Sequence, residues 1–213
     1  GPDGKLYVGT GDARDPNLSQ AKNTLAGKIL RLEPNGTIPR DNPFGNTPVF
    51  VLGIRNTQGF DWLDDGNLIV TDHGPSGELG RKGNDEISVA RPGANLGWPT
   101  IWGCEARSPL VSPRISYEDA APPGGAAIYR GTAIPEWKGS LIVATLRSQH
   151  LLRIALTSDG RHATHHERYL SGKYGRLREV VMGPEGHLYV TTSNCGGRGD
   201  CPSDRDRILR IRR

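Results

Sequence analysis

Apolar residues in this chain come in short alternating runs, LYV, LIV, ILRL and LLRI, set between glycine-rich turns. A period of two puts alternate side chains on one face of an extended backbone, so the runs predict strands. No stretch keeps a helical period beyond a turn or two. The runs belong to a repeated unit, whose four copies are PDGKLYVGTGD from Pro2, DDGNLIVTDHG from Asp64, EWKGSLIVATLR from Glu136 and PEGHLYVTTSN from Pro184. Each copy carries a D-G, E-G or K-G turn, then a short strand, then a small polar end. A second strand follows each at variable distance: GKILRLEPNG, DEISVARPG, HLLRIALTSDG and DRILRIRR. The last three copies also have a strand ahead of the turn, NTQGFDWL, GAAIYRG and LREVVMGP, and the first has none. Irregular repetition of strand pairs predicts an all-β fold of the β-propeller type, with about four blade repeats in a single partial domain over residues 1–213.

Composition narrows the function classes. Glycine (29 of 213 residues) and proline (16) are frequent, as short strands with tight turns require. No apolar stretch approaches the roughly 20 residues of a membrane-spanning helix, so no membrane partner is expected. A net charge of +4, with Lys and Arg scattered, gives no basic patch for nucleic acid. Cys195 and Cys201 flank the short loop GGRGD and are expected to be bridged, leaving Cys104 over. The tripeptide Arg198-Gly199-Asp200 in that loop is read as chance, because nothing around it makes an adhesion motif. A propeller left open exposes strand edges, which predicts a homo-oligomer unless the blades close on themselves.

The candidate chemistry gathers at one end of the predicted hairpins. Antiparallel pairing brings the start of a leading strand beside the end of the next. The polar residues at those places are Asp12, Arg55, Asn56, Gln58, the turn Asp72-His73-Gly74-Pro75, Arg147, Arg176, Arg178 and Thr192-Ser193-Asn194. Several cations and few carboxylates on one rim point to an anionic ligand. The Gly74-Pro75 turn, with no donor at the proline, can leave two successive carbonyls outward for a hard metal ion. Each residue also has a plain structural reading. Arg176 and Arg178 could bridge Glu179 and Glu185, Asp85-Glu86 could be a solvated turn, and His165-His166 reads as an exposed loop. Trp62, Trp98 and Trp137 read as packing between blades, and Trp102 as a possible groove wall.

These motifs carry a family likeness. GPDGKLYVGTGD, AGKILRL, the block GIRNTQGFDW…DHGPSG…NDEI…NLGWP, PEWKGSLIVATLRSQ, YGRLREVVMGPEGHLYVTTSN and DRILRI occur in this order. Together they resemble the soluble quinoprotein sugar dehydrogenases of the glucose/sorbosone dehydrogenase group. The resemblance implies a six-bladed propeller that binds pyrroloquinoline quinone through calcium, oxidises aldoses, passes electrons to an external acceptor, and is periplasmic or secreted. It implies that Arg55 and Asn56 contact the cofactor, Arg55 near its reactive carbonyl, and that Arg147, Arg176 and Arg178 hold its carboxylates. Gly74 and Pro75 match the turn whose carbonyls hold calcium, and Glu86, beside Asp85, matches an acidic pair near a second calcium in some members. Asp12 matches the aspartate that orients the catalytic histidine. That histidine lies upstream of the GPDG turn in the family, in a strand this chain does not contain, so the resemblance implies impaired oxidation; His73 on the rim reads first as a structural hydrogen-bonding histidine of the turn and otherwise as a replacement base. The alternative is a propeller without redox activity: a carbohydrate- or protein-binding module, or a calcium-dependent lactonase or esterase.

Overall fold

A computed structural model describes residues 1–119, 121–157, 159 and 162–213. Ser158 and Gly160, in the tail of the predicted HLLRIALTSDG segment, lie outside them. The described residues form strands throughout, with three short 3-10 turns as their helical structure. By contact the chain divides into two compact units: residues 1–58 with 62–119, and residues 59–61 with 120–213.

The first unit holds an antiparallel sheet of β1 (Leu6–Gly9), β2 (Lys28–Leu32) and β3 (Val49–Leu52), in that order. It also holds most of a second, made of β4 (Thr57–Trp62), β5 (Leu68–Asp72), β6 (Asp85–Ala90) and β7 (Ile115–Tyr117). The second unit holds a sheet of β8 (Pro123–Ile128), β9 (Leu141–Thr145), β10 (Leu151–Leu156) and β11 (Ala163–Tyr169). Its other sheet is β12 (Leu177–Met182), β13 (Leu188–Thr192) and β14 (Ile208–Ile211). Every predicted hairpin is therefore present, as β1/β2, β5/β6, β9/β10 and β13/β14. The predicted leading strands are β4, β8 and β12.

The repeated turn glycine explains why the hairpins recur. Gly4, Gly66, Gly139 and Gly186 all have φ between 73° and 81°, and no atom lies within 4 Å of where a Cβ would sit. Their requirement is the left-handed backbone itself, which a side chain makes unfavourable. Behind the turns, strands β5 and β9 are buried along their whole length, and Ile29, Val70, Ile142, Val143, Leu151 and Val190 are at most 1% exposed. The Trp137 ring is buried among Tyr129, Tyr169, Leu177 and Leu188 in the core of the second unit, as packing.

Strands β3, β7 and β11 were not foreseen. Each is the last strand of its sheet. Strand β11, ATHHERY, has alternation too weak to read, because its face is half-exposed and polar. His165 and His166 accordingly stand on a strand and not in a loop. The Cys195–Cys201 bridge is formed, with an S–S distance of 2.05 Å, and Cys104 is an exposed free thiol.

Candidate functional site

In the first unit, one carboxylate organises the open end of the β4–β5 hairpin, opposite its Gly66 turn. Asp72, the last residue of β5, accepts the backbone N–H of Arg55 at 2.9 Å and of Asn56 at 2.6 Å. Burial pushes its pKa up to about 7, although both amides favour the charged form. The His73 N–H donates to the Asn56 carbonyl at 3.1 Å, and the Asp12 N–H to the Arg55 carbonyl at 2.8 Å. The expected residues Asp12, Arg55, Asn56, His73 and Gly74 are thus brought together, on the backbone of two adjacent sheets of one unit.

Their side chains are less free than the sequence implied. The Arg55 guanidinium, 12% exposed, pairs with Glu78 at 2.6 Å and donates to the His73 carbonyl at 3.3 Å. Its Nε is buried with no hydrogen-bond partner. A buried cation was expected to wait for a ligand; here a carboxylate of its own chain already neutralises it. Asp12 accepts the Trp98 indole N–H at 2.9 Å through one oxygen and the Arg14 N–H at 3.0 Å through the other. Trp98 is therefore a hydrogen-bond donor as well as packing. The Pro75 carbonyl accepts the Gly83 N–H at 3.1 Å, so of the two carbonyls expected to point outward one has a backbone donor, and among the described residues no backbone donor to the Gly74 carbonyl is found. The Gly74 N–H donates to Asp85 at 3.0 Å.

Glu86 sits opposite Asp72 in the β5/β6 register, and one of its oxygens accepts the Gly103 N–H at 2.6 Å. Burial, then the neighbouring Asp72 charge, pushes its pKa up to about 8. No group of three His, Cys, Asp or Glu that could hold a metal exists among the described residues. The oxygens that fit a hard cation are the Gly74 carbonyl and the second lone pair of Pro75, which would need the ligand's own oxygens to complete a shell.

The second unit repeats the device at the open end of the β12–β13 hairpin, with an amide. Asn194, beyond the end of β13, accepts the Arg176 N–H at 2.8 Å and donates to the Tyr174 carbonyl at 2.9 Å. The Ser193 N–H returns to the Arg176 carbonyl at 2.9 Å. Asn194 thus fixes the backbone of the arginine that precedes β12, as Asp72 does for Arg55 before β4. Arg178 lies on the same end as Arg147. A Cβ at Gly124 would meet the Arg178 carbonyl at 2.2 Å and the Ala144 carbonyl at 3.3 Å, and Arg147 follows Ala144 by three residues in the exposed turn after β9. The Nε of Arg176 is buried with no hydrogen-bond partner. Burial, then the charges of Arg178 and Arg198, holds its guanidinium below the ordinary pKa. Glu185, one of its possible surface partners, is taken instead by the Tyr189 hydroxyl.

Sequence reasoning missed Glu78, the linked roles of Asp72 and Asn194, and Arg198. The first had no signal, because it comes from a turn whose Leu79 adopts φ 54°. The second had one: both are polar residues at the close of a repeated segment, Asp72 ending β5 and Asn194 two residues past β13.

Comparison with known proteins places this geometry. A pyrroloquinoline-quinone-bound aldose sugar dehydrogenase from Streptomyces coelicolor is 38% identical, with a TM-score of 0.86 over 100% of this chain and 59% of its own. A putative oxidoreductase (glucose dehydrogenase) from Thermus thermophilus is 44% identical, with a TM-score of 0.90 over 99% of this chain and 62% of its own. The aldose sugar dehydrogenase YliI of Escherichia coli is 31% identical over 91% of this chain and 55% of its own length. The chain thus spans little more than half the length of these relatives, and its fold is the expected all-β, β-propeller type. The Glucose / Sorbosone dehydrogenase family model matches residues 1–209, and the chain belongs to that family.

Proposed function

We propose that this chain is the greater part of a soluble quinoprotein that oxidises aldoses with pyrroloquinoline quinone and calcium. The observation that carries this reading is Arg176: a guanidinium held by its backbone, with a buried Nε that no group among the described residues satisfies, beside other arginines. A ligand carboxylate supplies the acceptor that is missing. When bound, the quinone supplies the two-electron acceptor for the hydride of the sugar's anomeric carbon, and an external acceptor then takes the electrons.

The residues of the chain divide the remaining work. Arg147, Arg176 and Arg178 bind and orient carboxylates. Arg55, fixed by Glu78 and the His73 carbonyl, presents a preorganised donor, with Asn56 beside it. The carbonyls of Gly74 and Pro75 are the calcium ligands; Glu86, turned to Gly103, is left out of that set. Proton removal from the sugar hydroxyl is the weak step. Both oxygens of Asp12 are engaged, so it positions rather than abstracts; His73, whose Nε2 is buried, would serve as base only if binding uncovers that nitrogen. The disulfide fits an oxidising compartment, periplasmic or secreted.

An absorbance titration of the 213-residue chain with pyrroloquinoline quinone and calcium tests the reading. Saturable but weak binding is expected, reduced about tenfold or more in Arg176→Gln, with little aldose turnover. No binding, or binding that ignores R176Q, overturns it. Robust turnover assigns the base to another group, and His73→Ala then shows whether it is His73.

A further inference from the structure

We propose that the disulfide-closed loop from Cys195 to Cys201 is part of this anion site, with Arg198 as an additional ligand-binding cation. The inference rests on the anion site of the proposed function but not on which anion fills it. The base of the loop is anchored. The Asp206 carboxylate accepts the Asn194 N–H at 2.6 Å and the Cys195 N–H at 3.1 Å, and the Cys195–Cys201 bond closes the ring. A tethered loop has few conformations to lose when it meets a ligand.

Gly199 shows where the loop lies. A Cβ on it would sit 2.8 Å from Arg176 Cδ, and 3.0 and 3.1 Å from the Cα and carbonyl oxygen of Asn194. The φ of Gly199 is outside the left-handed region, so what excludes a side chain is space and not backbone conformation. The loop backbone therefore rests directly on the aliphatic arm of Arg176. Arg198, one residue before this contact, is exposed, and no ion pair of it is found among the described residues. Its charge already acts on the Arg176 guanidinium, in the same sense as that of Arg178.

Like charges pressed together on an anchored frame repel unless an anion joins them. Cations on a strand opening and on a closed loop call for an anion with more than one carboxylate, and an aromatic polycarboxylate is that class. The tripeptide Arg198-Gly199-Asp200 then has a local use: Gly199 permits the approach and Arg198 supplies the charge.

The test uses this chain and two probes, pyrroloquinoline quinone with calcium, and benzene-1,3,5-tricarboxylate. Binding is measured calorimetrically at low and high salt. For R198Q we expect affinity to fall about tenfold at low salt and the salt dependence to flatten, while R212Q, a matched charge deletion, changes it less than twofold. G199A, and wild type with the 195–201 bond reduced, should weaken binding in the same direction. R198Q binding like wild type overturns the proposal, and a simultaneous loss in R176Q shows that the anion site itself stands. Tricarboxylate binding that depends on Arg198, without quinone binding, supports the loop and removes the quinone reading. Binding of neither probe by wild type overturns both.

Discussion

Lys28 is fully buried, and its ammonium donates to the carbonyls of Leu18, Ser19 and Ala26 at 2.8, 3.0 and 2.6 Å. Three donors meet three acceptors, which ties the loop between β1 and β2 to the sheet. Burial still pushes its pKa down, from 10.5 to about 8. The unfolded chain therefore binds the proton more tightly than the folded one, and the stability contribution of Lys28 rises with pH between about 8 and 10.5. Urea unfolding at pH 8 and 10 should show this slope in wild type and lose it in Lys28→Met. At pH 7, K28M strands the Ala26 carbonyl, since those of Leu18 and Ser19 keep the N–H donors of Ala21 and Gly53, and is expected to cost about 1–3 kcal/mol. The residue scale also shows why polar strand ends carry more than one meaning. Asp72 and Asn194 look like ligand groups in the sequence, yet Asp72 spends its oxygens on the backbone of Arg55 and Asn56, and Asn194 its oxygen on that of Arg176.

At the scale of the hairpin, turn chemistry and strand period agree, and this agreement made the elements readable. Gly186 has φ 80° and open space around it, so an alanine there meets no clash and pays only for its backbone conformation. G186A is expected to lower stability by about 1–2 kcal/mol, measured by denaturant unfolding, without changing anion affinity. Gly199→Ala, crowded against the Asn194 backbone and lying on Arg176, should lower anion affinity as well as stability. The outermost strands β7 and β11 escaped detection for a physical cause: a strand bonded on one side and half-exposed needs neither a long run nor clean alternation.

At the scale of the whole chain, apolar side chains stand open on the sheets at the two ends of the sequence. Leu6 and Val8 on β1 are 51% and 37% exposed, and Val181 on β12 and Ile208 on β14 are 52% and 75% exposed. Strand β1 is an edge of its sheet, and so are β12 and β14 of theirs, so apolar area and unpaired backbone donors coincide. Self-association at micromolar concentration is the expected result, read by light scattering as a mass above the 23.1 kDa of one chain. Replacing Val181 and Ile208 by lysine should lower that mass. A strictly monomeric wild type would show that these faces need no partner.

Read alone, the sequence determined the four hairpins, their leading strands, the disulfide and the family, because each is written in neighbouring residues or in ordered motifs. It also placed Arg55, Arg176 and their companions at the open ends of hairpins. What those side chains do was decided by tertiary structure. The Asp12–Trp98 bond joins residues 86 apart, and Arg55 meets Glu78 across 23. Gly199 reaches the arm of Arg176 through a loop closed on itself. Alternation and turn residues report the local path of the backbone, whereas the partner of a buried charge depends on which segments approach it in space. That approach is set by packing, and a periodic pattern does not encode it.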